Sequence, residues 1–228
     1  CLSSKKIMLD IHGIVPEENK LINKNFRYLI FNFCERIVFT KEKLTVMCVT
    51  NHMINFYKKY KTTKAQFVRY IIFPNNLEQN KDDQLIKETK NINIVYSGNF
   101  QKWQNIDLMI EVIKKIYHNT DYHFYILTGE LKQMQEKFVK ASFDDIQRVT
   151  IDSLPPDKLH LVYSICHYGF VLRDDIAVNN AACPTKLVEY MNYGSVPIVL
   201  SDIIGDFKEY GYDRISVEDM GYLSSYKS

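Results

Sequence analysis

The stretch YGFVLRDDIAVNNAACPTKLVEYMNYGSVPIVL, residues 168–200, decides the fold. An apolar run of strand length at residues 168–172 leads through a polar loop into a segment of helical period at residues 184–192. Gly194 is placed to end that helix, because glycine readily adopts the left-handed conformation of a helix terminus. A second apolar run follows at residues 196–200. Strand, helix and strand in this order predict one βαβ unit of a parallel sheet.

The same alternation extends in both directions from this unit. Before it, the pattern predicts strands at residues 92–97, 123–128 and 148–152 and helices at residues 105–118, 130–141 and 156–165; an earlier series predicts strands at 6–9, 44–49 and 67–73 and helices at 26–41 and 51–61. After it, a short helix is predicted near residues 204–209. The fold class that follows is α/β, with two Rossmann-like, doubly wound parallel-sheet domains, of which the first is too short to close a complete sheet.

Residues 77–91 separate the two series. They are rich in Asn, Gln, Lys, Asp and Glu, and Pro74 and Asn75 stop the strand before them. Such a segment is typical of an interdomain linker. We therefore predict a first domain at residues 1–76, a linker at 77–91 and a second domain at 92–228. Because the first series is short and begins with Cys1 rather than Met, we expect a fragment of a longer chain.

Composition excludes several classes of protein. The chain is 46% apolar and 25% charged, a composition typical of globular proteins. Its net charge of +2 argues against a dedicated nucleic-acid binder. No apolar run approaches the roughly 20 residues that span a bilayer. The five cysteines form no Cys/His cluster with metal-ligand spacing. We expect free thiols, a cytoplasmic protein and no metal site.

The loop after the strand at residues 168–172 is the richest candidate site. Ligands of open parallel sheets bind where strands end and helices begin, and this loop starts with Arg173. The N terminus of the next helix, at Pro184, is suited to an anion, and Lys186 adds a positive charge. Glu189 lies one turn deeper, where a carboxylate can accept hydrogen bonds from ribose hydroxyls. The alternative, that Lys186 and Glu189 are only a surface ion pair, stays open.

Three other segments carry weaker signals. Gly98 and Asn99 follow the strand at residues 92–97, in a turn that could let the backbone approach a ligand. His12 follows the first strand among carboxylates, and it is either a general base or a structural hydrogen-bond partner. Residues 57–69 mix aromatic and basic side chains, which suits an anionic membrane or a nucleic acid, unless they are simply a solvated helix face.

Several of these segments, taken together, resemble one known family. IVYSGNFQKWQNIDLMI at residues 94–110 and FVLRDDIAVNNAACPTKLVEYMNYGSVPIVLS at residues 170–201 resemble the donor-binding half of GT-B glycosyltransferases. The closest likeness is to glycosyltransferase family 4 and its bacterial surface-polysaccharide members. DIHGIVPEE at residues 10–18 is similar to a segment of the acceptor-side half, and FPN at residues 73–75 to its closing strand.

The resemblance implies that a sugar passes from a nucleoside diphosphate to an acceptor hydroxyl, with retained anomeric configuration and no cofactor or required metal. It implies a glycan or lipid-linked acceptor, a peripheral membrane contact and no nucleic-acid partner. Glu189 matches the family's ribose-binding glutamate, Arg173 and Lys186 lie where the diphosphate is neutralised, and His12 matches a histidine near the donor sugar. The other implied donor-binding residues are Gly98, Asn99, Gln104, Asn179, Asn180, Pro184 and Thr185.

The chain departs from the family pattern at three positions. Asn99 and Gln104 stand where the wider family has an arginine and a lysine, and Ala181 stands where it has the first glutamate of a pair. We expect Arg173 and Lys186 to supply the missing charge and Asn179 or Asn180 to replace the sugar contact. These departures leave a second hypothesis open, a non-catalytic nucleotide-sugar-binding or scaffold subunit of the same fold.

Overall fold

The computed structural model describes residues 6–60, 63–71, 91–118, 120–143 and 146–220. Contacts divide the chain into two units. The first comprises Cys1–Ile72, Asp174–Pro184 and Asp202–Tyr212, and the second Phe73–Arg173, Thr185–Ser201 and Asp213–Ser228. Two short segments from late in the chain therefore pack with its N-terminal part. All but the last residue of the predicted linker, 77–91, lies outside the described residues, so the predicted domain boundaries stay a prediction.

Most apolar runs and helical periods form the predicted strands and helices, although the predicted helix at residues 156–165 is a 3₁₀ turn followed by a short helix and the predicted strand at 67–73 is described only over Gln66–Arg69. The described strands are β1 (Ile7–Ile11), β2 (Leu44–Cys48), β3 (Gln66–Arg69), β4 (Ile92–Ser97), β5 (Tyr122–Leu127), β6 (Val149–Asp152), β7 (Tyr168–Val171), β8 (Val196–Val199) and β9 (Ile215–Ser216). The described α-helices are α1 (Val15–Leu21), α2 (Asn25–Phe39), α3 (Asn51–Tyr60), α4 (Ile106–Ile116), α5 (Leu131–Lys140), α6 (Leu159–Tyr163), α7 (Ala177–Asn180), α8 (Thr185–Asn192) and α9 (Phe207–Tyr210).

The first unit contains a three-stranded sheet in the order β1-β2-β3, with parallel neighbours. Leu44, Val46 and Cys48 of β2 are buried and form its core with Met53 and Tyr57 of α3. Their alternation along β2 places the intervening residues on the other face of the sheet. Burial of this apolar surface is the main force that holds the unit together.

The second unit contains a six-stranded parallel sheet in the order β6-β5-β4-β7-β8-β9. Both faces of a parallel sheet are covered, so its strands are continuous apolar runs in the sequence. Strand β4 agrees with this rule, because all six of its residues are buried. Met109 and Ile113 of α4 and Phe138 of α5 pack in the same core. This is a doubly wound parallel sheet, and the predicted α/β fold class is confirmed.

Four elements in particular differ from the sequence prediction. Residues 15–21 form α1 rather than a loop, and residues 177–180 form α7 within the predicted loop. The predicted helix at residues 184–192 begins one residue later, at Thr185. The two-residue strand β9, which pairs with β8, was not predicted because two residues are too few for a period to be read.

Helix α2 is present as predicted, but its apolar face points away from the core. Phe26, Leu29, Ile30, Phe33 and Ile37 share that face and are exposed, whereas Phe39 is fully buried. The apolar period identifies which residues share a face of a helix. It does not identify which face meets the sheet, and here the opposite side of α2 packs inward.

Gly169 of β7 allows a close contact that positions α8. A Cβ atom at this position would lie 2.3 Å from the ring of Tyr190, which is fully buried. We expect Gly169→Ala to lower the free energy of unfolding by about 1–3 kcal/mol, because the ring must move in a packed core. Thermal unfolding measures the effect. Gly129→Ala is the matched control, since a Cβ atom at Gly129 would have no neighbour within 4 Å among the described residues, and an equal loss in both variants would contradict this explanation.

Candidate functional site

The strand order of the second unit creates a switch point between β4 and β7. The chain proceeds from β4 outward to β5 and β6, and then returns to the other side of β4 with β7. Ligands of doubly wound sheets bind at such a point, outside the carboxyl ends of the two strands. In this chain β4 ends at Ser97, and Arg173 follows the end of β7. Sequence-predicted site residues therefore flank the switch point.

Hydrogen bonds tie the loops at the switch point to one another. The backbone N–H of Ser97 donates to the hydroxyl of Tyr190 on α8 at 2.8 Å, and Asn105 Nδ2 donates to the carbonyl of Leu172 at 3.0 Å. The rings of Tyr190 and Tyr163 pack edge to face, with centroids 5.3 Å apart. The end of β4, the end of β7 and α8 are thus held in one arrangement by side chains distant in sequence.

Arg173 is a largely buried cation at this point. Its Nε is buried and has no hydrogen-bond partner among the described residues. Burial lowers the pKa of Arg173 to about 10, and the neighbouring Tyr96 opposes that shift only in part. A buried charge without a partner is costly unless it is compensated. This guanidinium is therefore suited to an anion.

Lys186 and Glu189 meet on α8. Lys186 Nζ lies 2.8 Å from Glu189 Oε2, and the hydroxyl of Tyr163 donates to the same oxygen at 3.1 Å. The two side chains are only 30% and 16% exposed, so the surface ion pair that the sequence left open is instead a semi-buried pair. Tyr163 contacts both Glu189 and Tyr190, and the hydroxyl of Tyr190 accepts the N–H of Ser97 at the end of β4. These contacts connect the ion pair to the end of β4, where Tyr96 neighbours Arg173.

The loop after β4 holds the remaining predicted donor-binding residues of the second unit. Gly98 donates its N–H to the carbonyl of Leu127, and a Cβ at this position would lie 2.6 Å from the hydroxyl of Tyr96. Tyr96 in turn donates to the carbonyl of Asn99 at 2.9 Å. Gln104 ends a short 3₁₀ turn. The glycine is therefore needed at least for the packing of Tyr96.

Asn179, Asn180 and Pro184 belong to the first unit, whereas Thr185 is the first residue of α8 in the second. Asn179 Nδ2 donates to the carbonyl of Asp174 at 2.9 Å, and Asn180 Nδ2 donates to Asp175 Oδ1 at 2.7 Å. These amides stabilise their own loop. We predicted that these residues act together with Lys186 because they lie close to it along the chain. Closeness in sequence does not show where the chain passes from one unit to the other.

His12 lies in a polar cluster at the end of β1 in the first unit. Its Nε2 is 3.1 Å from Asp10 Oδ2 and 3.0 Å from the hydroxyl of Tyr70, which also donates to Asp10 Oδ1 at 2.5 Å. Hydrogen bonds from Tyr70 and His12 hold the pKa of Asp10 below its usual range. His12 also lines a cleft of about 550 Å³ together with Glu18 and Phe31. An imidazole oriented by a carboxylate can act as a base.

Tyr70 could not have been found from the sequence, because it joins His12 across 58 residues. Its position beside Asp10 follows only from the pairing of β3 with β2 and of β2 with β1.

Sequence reasoning also missed Asp206, which is 2% exposed in the first unit. Its carboxylate accepts the backbone N–H groups of Asn51 at 2.7 Å and His52 at 3.2 Å, and Arg69 Nη1 at 3.1 Å. His52, Asp206 and Glu209 place ligand atoms within 4.8 Å of one another, which is compatible with a metal ion. The arginine already compensates the buried charge, so we interpret Asp206 as a cap of α3.

The aromatic and basic residues at 57–69 serve structure where the chain is described. Tyr57 is fully buried and stacks on Phe39, with ring centroids 4.9 Å apart. Lys64 pairs with Glu42 at 2.8 Å, and Arg69 pairs with Asp206. These contacts favour the interpretation that the run is a structural and solvated face.

The family model for group 1 glycosyl transferases matches residues 77–215, more than half of the chain. The chain belongs to this family. No curated protein matches it in sequence. Among solved structures it is similar to WaaG, a glycosyltransferase involved in lipopolysaccharide biosynthesis (14% identity, TM-score 0.62, 89% of this chain and 58% of that one). It is also similar to sucrose-phosphate synthase from Thermosynechococcus elongatus (12% identity, TM-score 0.66, 90% and 52%).

A third structure, Anabaena HepE in complex with UDP and glucose, has 12% identity and a TM-score of 0.61, and the match covers 97% of this chain and 61% of that one. Likeness at this identity establishes the fold, which is that of GT-B glycosyltransferases. The chain spans about half the length of these structures. Among its described residues, no helix has both the length and the apolar composition to cross a bilayer.

Proposed function

We propose that the chain is the donor-binding part, with a portion of the acceptor side, of a retaining glycosyltransferase that moves a hexose from a nucleoside diphosphate to an acceptor hydroxyl. The observation that carries this proposal is Arg173, a desolvated guanidinium at the switch point of a doubly wound sheet. Family membership supports it. Anabaena HepE, which shares the fold, was solved with UDP and glucose.

Catalysis in this proposal is electrostatic. When the bond between sugar and diphosphate breaks, negative charge accumulates on the leaving diphosphate. Arg173, Lys186 and the N–H groups at the start of α8 stabilise that charge where it develops. Removing one such contact typically costs about 2.7–4 kcal/mol of transition-state stabilisation. We assign no nucleophile.

His12 is proposed to act near the donor sugar, with Asp10 and Tyr70 as the groups that orient its ring. No metal or cofactor is required, because the cationic side chains supply the positive charge. We further propose a glycan or lipid-linked acceptor in surface polysaccharide or glycoconjugate synthesis. Such an acceptor implies a cytoplasmic protein at the inner face of the membrane.

Glu189 is proposed to accept hydrogen bonds from the donor ribose, which gives a test specific to the sugar of the nucleotide. We expect Glu189→Gln to weaken UDP or GDP binding about tenfold, because hydrogen bonds to a charged group contribute about 1.5–3 kcal/mol. Binding of inorganic pyrophosphate should not weaken, since it has no ribose. Calorimetric titration measures both. Glu111→Gln, an exposed glutamate of α4, is the control. Equal losses for nucleotide and pyrophosphate would contradict the assignment.

Activity is tested by incubating the chain with a panel of UDP and GDP sugars and following donor hydrolysis and transfer. Lys186→Ala is expected to lower turnover about a hundredfold or more if Lys186 stabilises the leaving group. Absence of binding to every nucleotide sugar would overturn the proposal.

One observation favours the second hypothesis, a non-catalytic binding subunit. Ala181, at the position of the family's first glutamate, is 2% exposed, and its carbonyl accepts the hydroxyl of Thr50 at 2.8 Å. That position serves packing in this chain. Tight nucleotide-sugar binding without hydrolysis or transfer by the chain would support this alternative.

A further inference from the structure

The cleft of about 550 Å³ in the first unit is lined by residues of β1, α1 and α2. Its volume lies within the range of about 300–1,000 Å³ that small-molecule sites occupy. Most of its wall is apolar and is formed by Leu9, Ile11, Val15, Phe31 and Val38. Such a wall favours a ligand with an apolar body, because the ligand leaves water when it binds.

The ionisable side chains of this cleft are mainly acidic. Asp10, Glu18 and Glu35 line it together with His12, and none of the described residues that line it is a lysine or an arginine. Hydrogen bonds from Tyr70 and His12 hold the pKa of Asp10 below its usual range, so Asp10 is ionised at neutral pH. The charge of the cleft therefore complements a cation.

Glu18 is a half-buried carboxylate that a bound cation would stabilise. Burial raises the pKa of Glu18, and no hydrogen bond or positive charge from the described residues opposes that shift. Its Oε1 lies so close to Gly13 that a Cβ atom at Gly13 would overlap it. A glycine thus leaves space for this carboxylate beside β1. Because burying a carboxylate without compensation is costly, a cation at Glu18 supplies what the chain does not.

Glu35 places a second carboxylate on the α2 side of the cleft. Its Oε1 accepts the hydroxyl of the buried Tyr57 at 3.0 Å. Burial and the charge of Glu35 together raise the pKa of Tyr57. Asp10, Glu18 and Glu35 therefore reach the cleft from three different elements, β1, α1 and α2.

This arrangement suits an organic cation better than a metal ion. The ligand atoms that come within 4.8 Å of one another among the described residues belong to His52, Asp206 and Glu209, which lie outside the cleft. A hydrated divalent cation also gains nothing from an apolar wall. A primary ammonium group has three N–H donors, which can point to separate carboxylates, while an attached apolar group packs on the wall.

We propose that the cleft binds an organic molecule that consists of a primary ammonium group and an apolar body, with the ammonium group at Glu18. His12 lines the same cleft and is the residue proposed to act near the donor sugar. The ammonium-bearing molecule is therefore the acceptor, and this last step rests on the proposed function. The binding of an amine does not rest on it.

Three compounds with one carbon skeleton test the charge preference. Titrations followed by ligand-observed nuclear magnetic resonance compare cyclohexylmethylammonium, cyclohexylmethanol and cyclohexanecarboxylate. We expect the ammonium compound to bind about tenfold more tightly than the alcohol, because its hydrogen bonds are charge-assisted, and the carboxylate not to bind. Methylammonium should bind about tenfold more weakly than cyclohexylmethylammonium, because it has no apolar body to bury.

Variants of α1 test the role of Glu18. Glu18→Gln should weaken binding of cyclohexylmethylammonium about tenfold and leave binding of cyclohexylmethanol unchanged. Glu17→Gln is the matched control, since Glu17 precedes Glu18 in α1 and does not line the cleft. Gly13→Ala retains the charge but displaces the flexible end of Glu18, and it should weaken binding of the ammonium compound about fivefold. Circular dichroism verifies that all variants fold.

A variant of α2 tests the apolar wall. Phe31→Ala should weaken binding of cyclohexylmethylammonium and of cyclohexylmethanol by the same factor, about fivefold to tenfold, because both lose the same apolar contact. Phe33→Ala is the control on the same helix, since Phe33 is exposed outside the cleft, and it should leave both affinities unchanged.

Four results would overturn the proposal. They are no binding of cyclohexylmethylammonium, equal affinity for the ammonium compound and the alcohol, equal losses in Glu17→Gln and Glu18→Gln, and displacement of the ammonium compound by equimolar calcium. The last result would assign the carboxylates to a metal ion. All titrations are made without nucleotide, so failure here leaves the proposed donor site untouched, and failure of the donor site leaves amine binding untouched.

Discussion

Replacing Arg173 with methionine is expected to make the chain more stable and to weaken its binding of nucleoside diphosphates about a hundredfold. Burial lowers the pKa of Arg173 to about 10, so the folded chain disfavours the charged guanidinium by about 3 kcal/mol. For a base whose pKa is lower in the folded chain, this penalty is fully present below pH 10 and fades as the pH rises above that value. Methionine has a similar length and no charge to bury, so the penalty disappears.

The gain in stability should appear as a rise in melting temperature. After allowance for the lost packing of the arginine stem, we expect the free energy of unfolding to rise by about 1–3 kcal/mol. In a chain of this size each kcal/mol raises the melting temperature by about 2–4 °C. UDP binding should fall about a hundredfold, because the anion loses its buried partner. Stability and ligand affinity thus move in opposite directions, which an ordinary structural arginine would not produce.

Arg148 provides the control for Arg173. Its guanidinium donates to the carbonyls of Tyr117 and Tyr122 and lies over the ring of Tyr117. Because those contacts compensate the charge, we expect Arg148→Met to destabilise the chain and to leave UDP binding unchanged. A lower melting temperature for Arg173→Met, or undiminished UDP binding, would contradict our account of Arg173.

Asp206→Ala is expected to lower the free energy of unfolding by about 3–5 kcal/mol, because it leaves Arg69 and the first N–H groups of α3 without their buried acceptor. Asp206→Asn should cost less, about 1–3 kcal/mol. Urea unfolding at neutral pH measures both. Asp202→Asn is the control in the same segment, since Asp202 pairs with Lys208 at 3.1 Å at a more exposed position, and it should change stability by less than about 1 kcal/mol.

The effect of Asp206 should also depend on pH. Burial acts to raise its pKa, but hydrogen bonds from Asn51, His52 and Arg69 outweigh burial and hold the pKa below its usual range. A carboxyl whose pKa is lowered by folding contributes stability above its unfolded pKa and loses it as the pH falls through the folded pKa. The difference between wild type and Asp206→Asn should therefore shrink once the pH falls below the ordinary pKa of an aspartate, about 3.9. A difference that is constant with pH would contradict this.

The strands and the general position of the site could be predicted from the sequence because they depend on local pattern. Buried parallel strands are short apolar runs such as residues 92–97, and loops that follow them are the sites of ligand binding. Helix α1 could also have been predicted. Pro16 near its start and Glu17 and Glu18 in its first turn are typical helix-start signals.

What the sequence could not predict depends on contacts between distant segments. The partners of Asp206 lie more than 130 residues away. The network of Tyr163, Tyr190 and Ser97 depends on how α6 and α8 pack at the end of β4. The outward orientation of the apolar face of α2 has the same origin, since the periodicity of α2 is identical whichever face meets the core. Burial of the Arg173 guanidinium likewise has no signature in the residues beside it.

The most direct test of the central claim is a calorimetric titration of the chain with UDP and GDP, each compared with its nucleoside. If Arg173 and Lys186 hold a diphosphate and Glu189 holds the ribose, one of the two nucleotides binds, its nucleoside binds about a hundredfold more weakly or not at all, and the combined Arg173→Met and Lys186→Met variant loses the nucleotide. Equal affinity for nucleoside and nucleotide, or full binding by that variant, would contradict the claim.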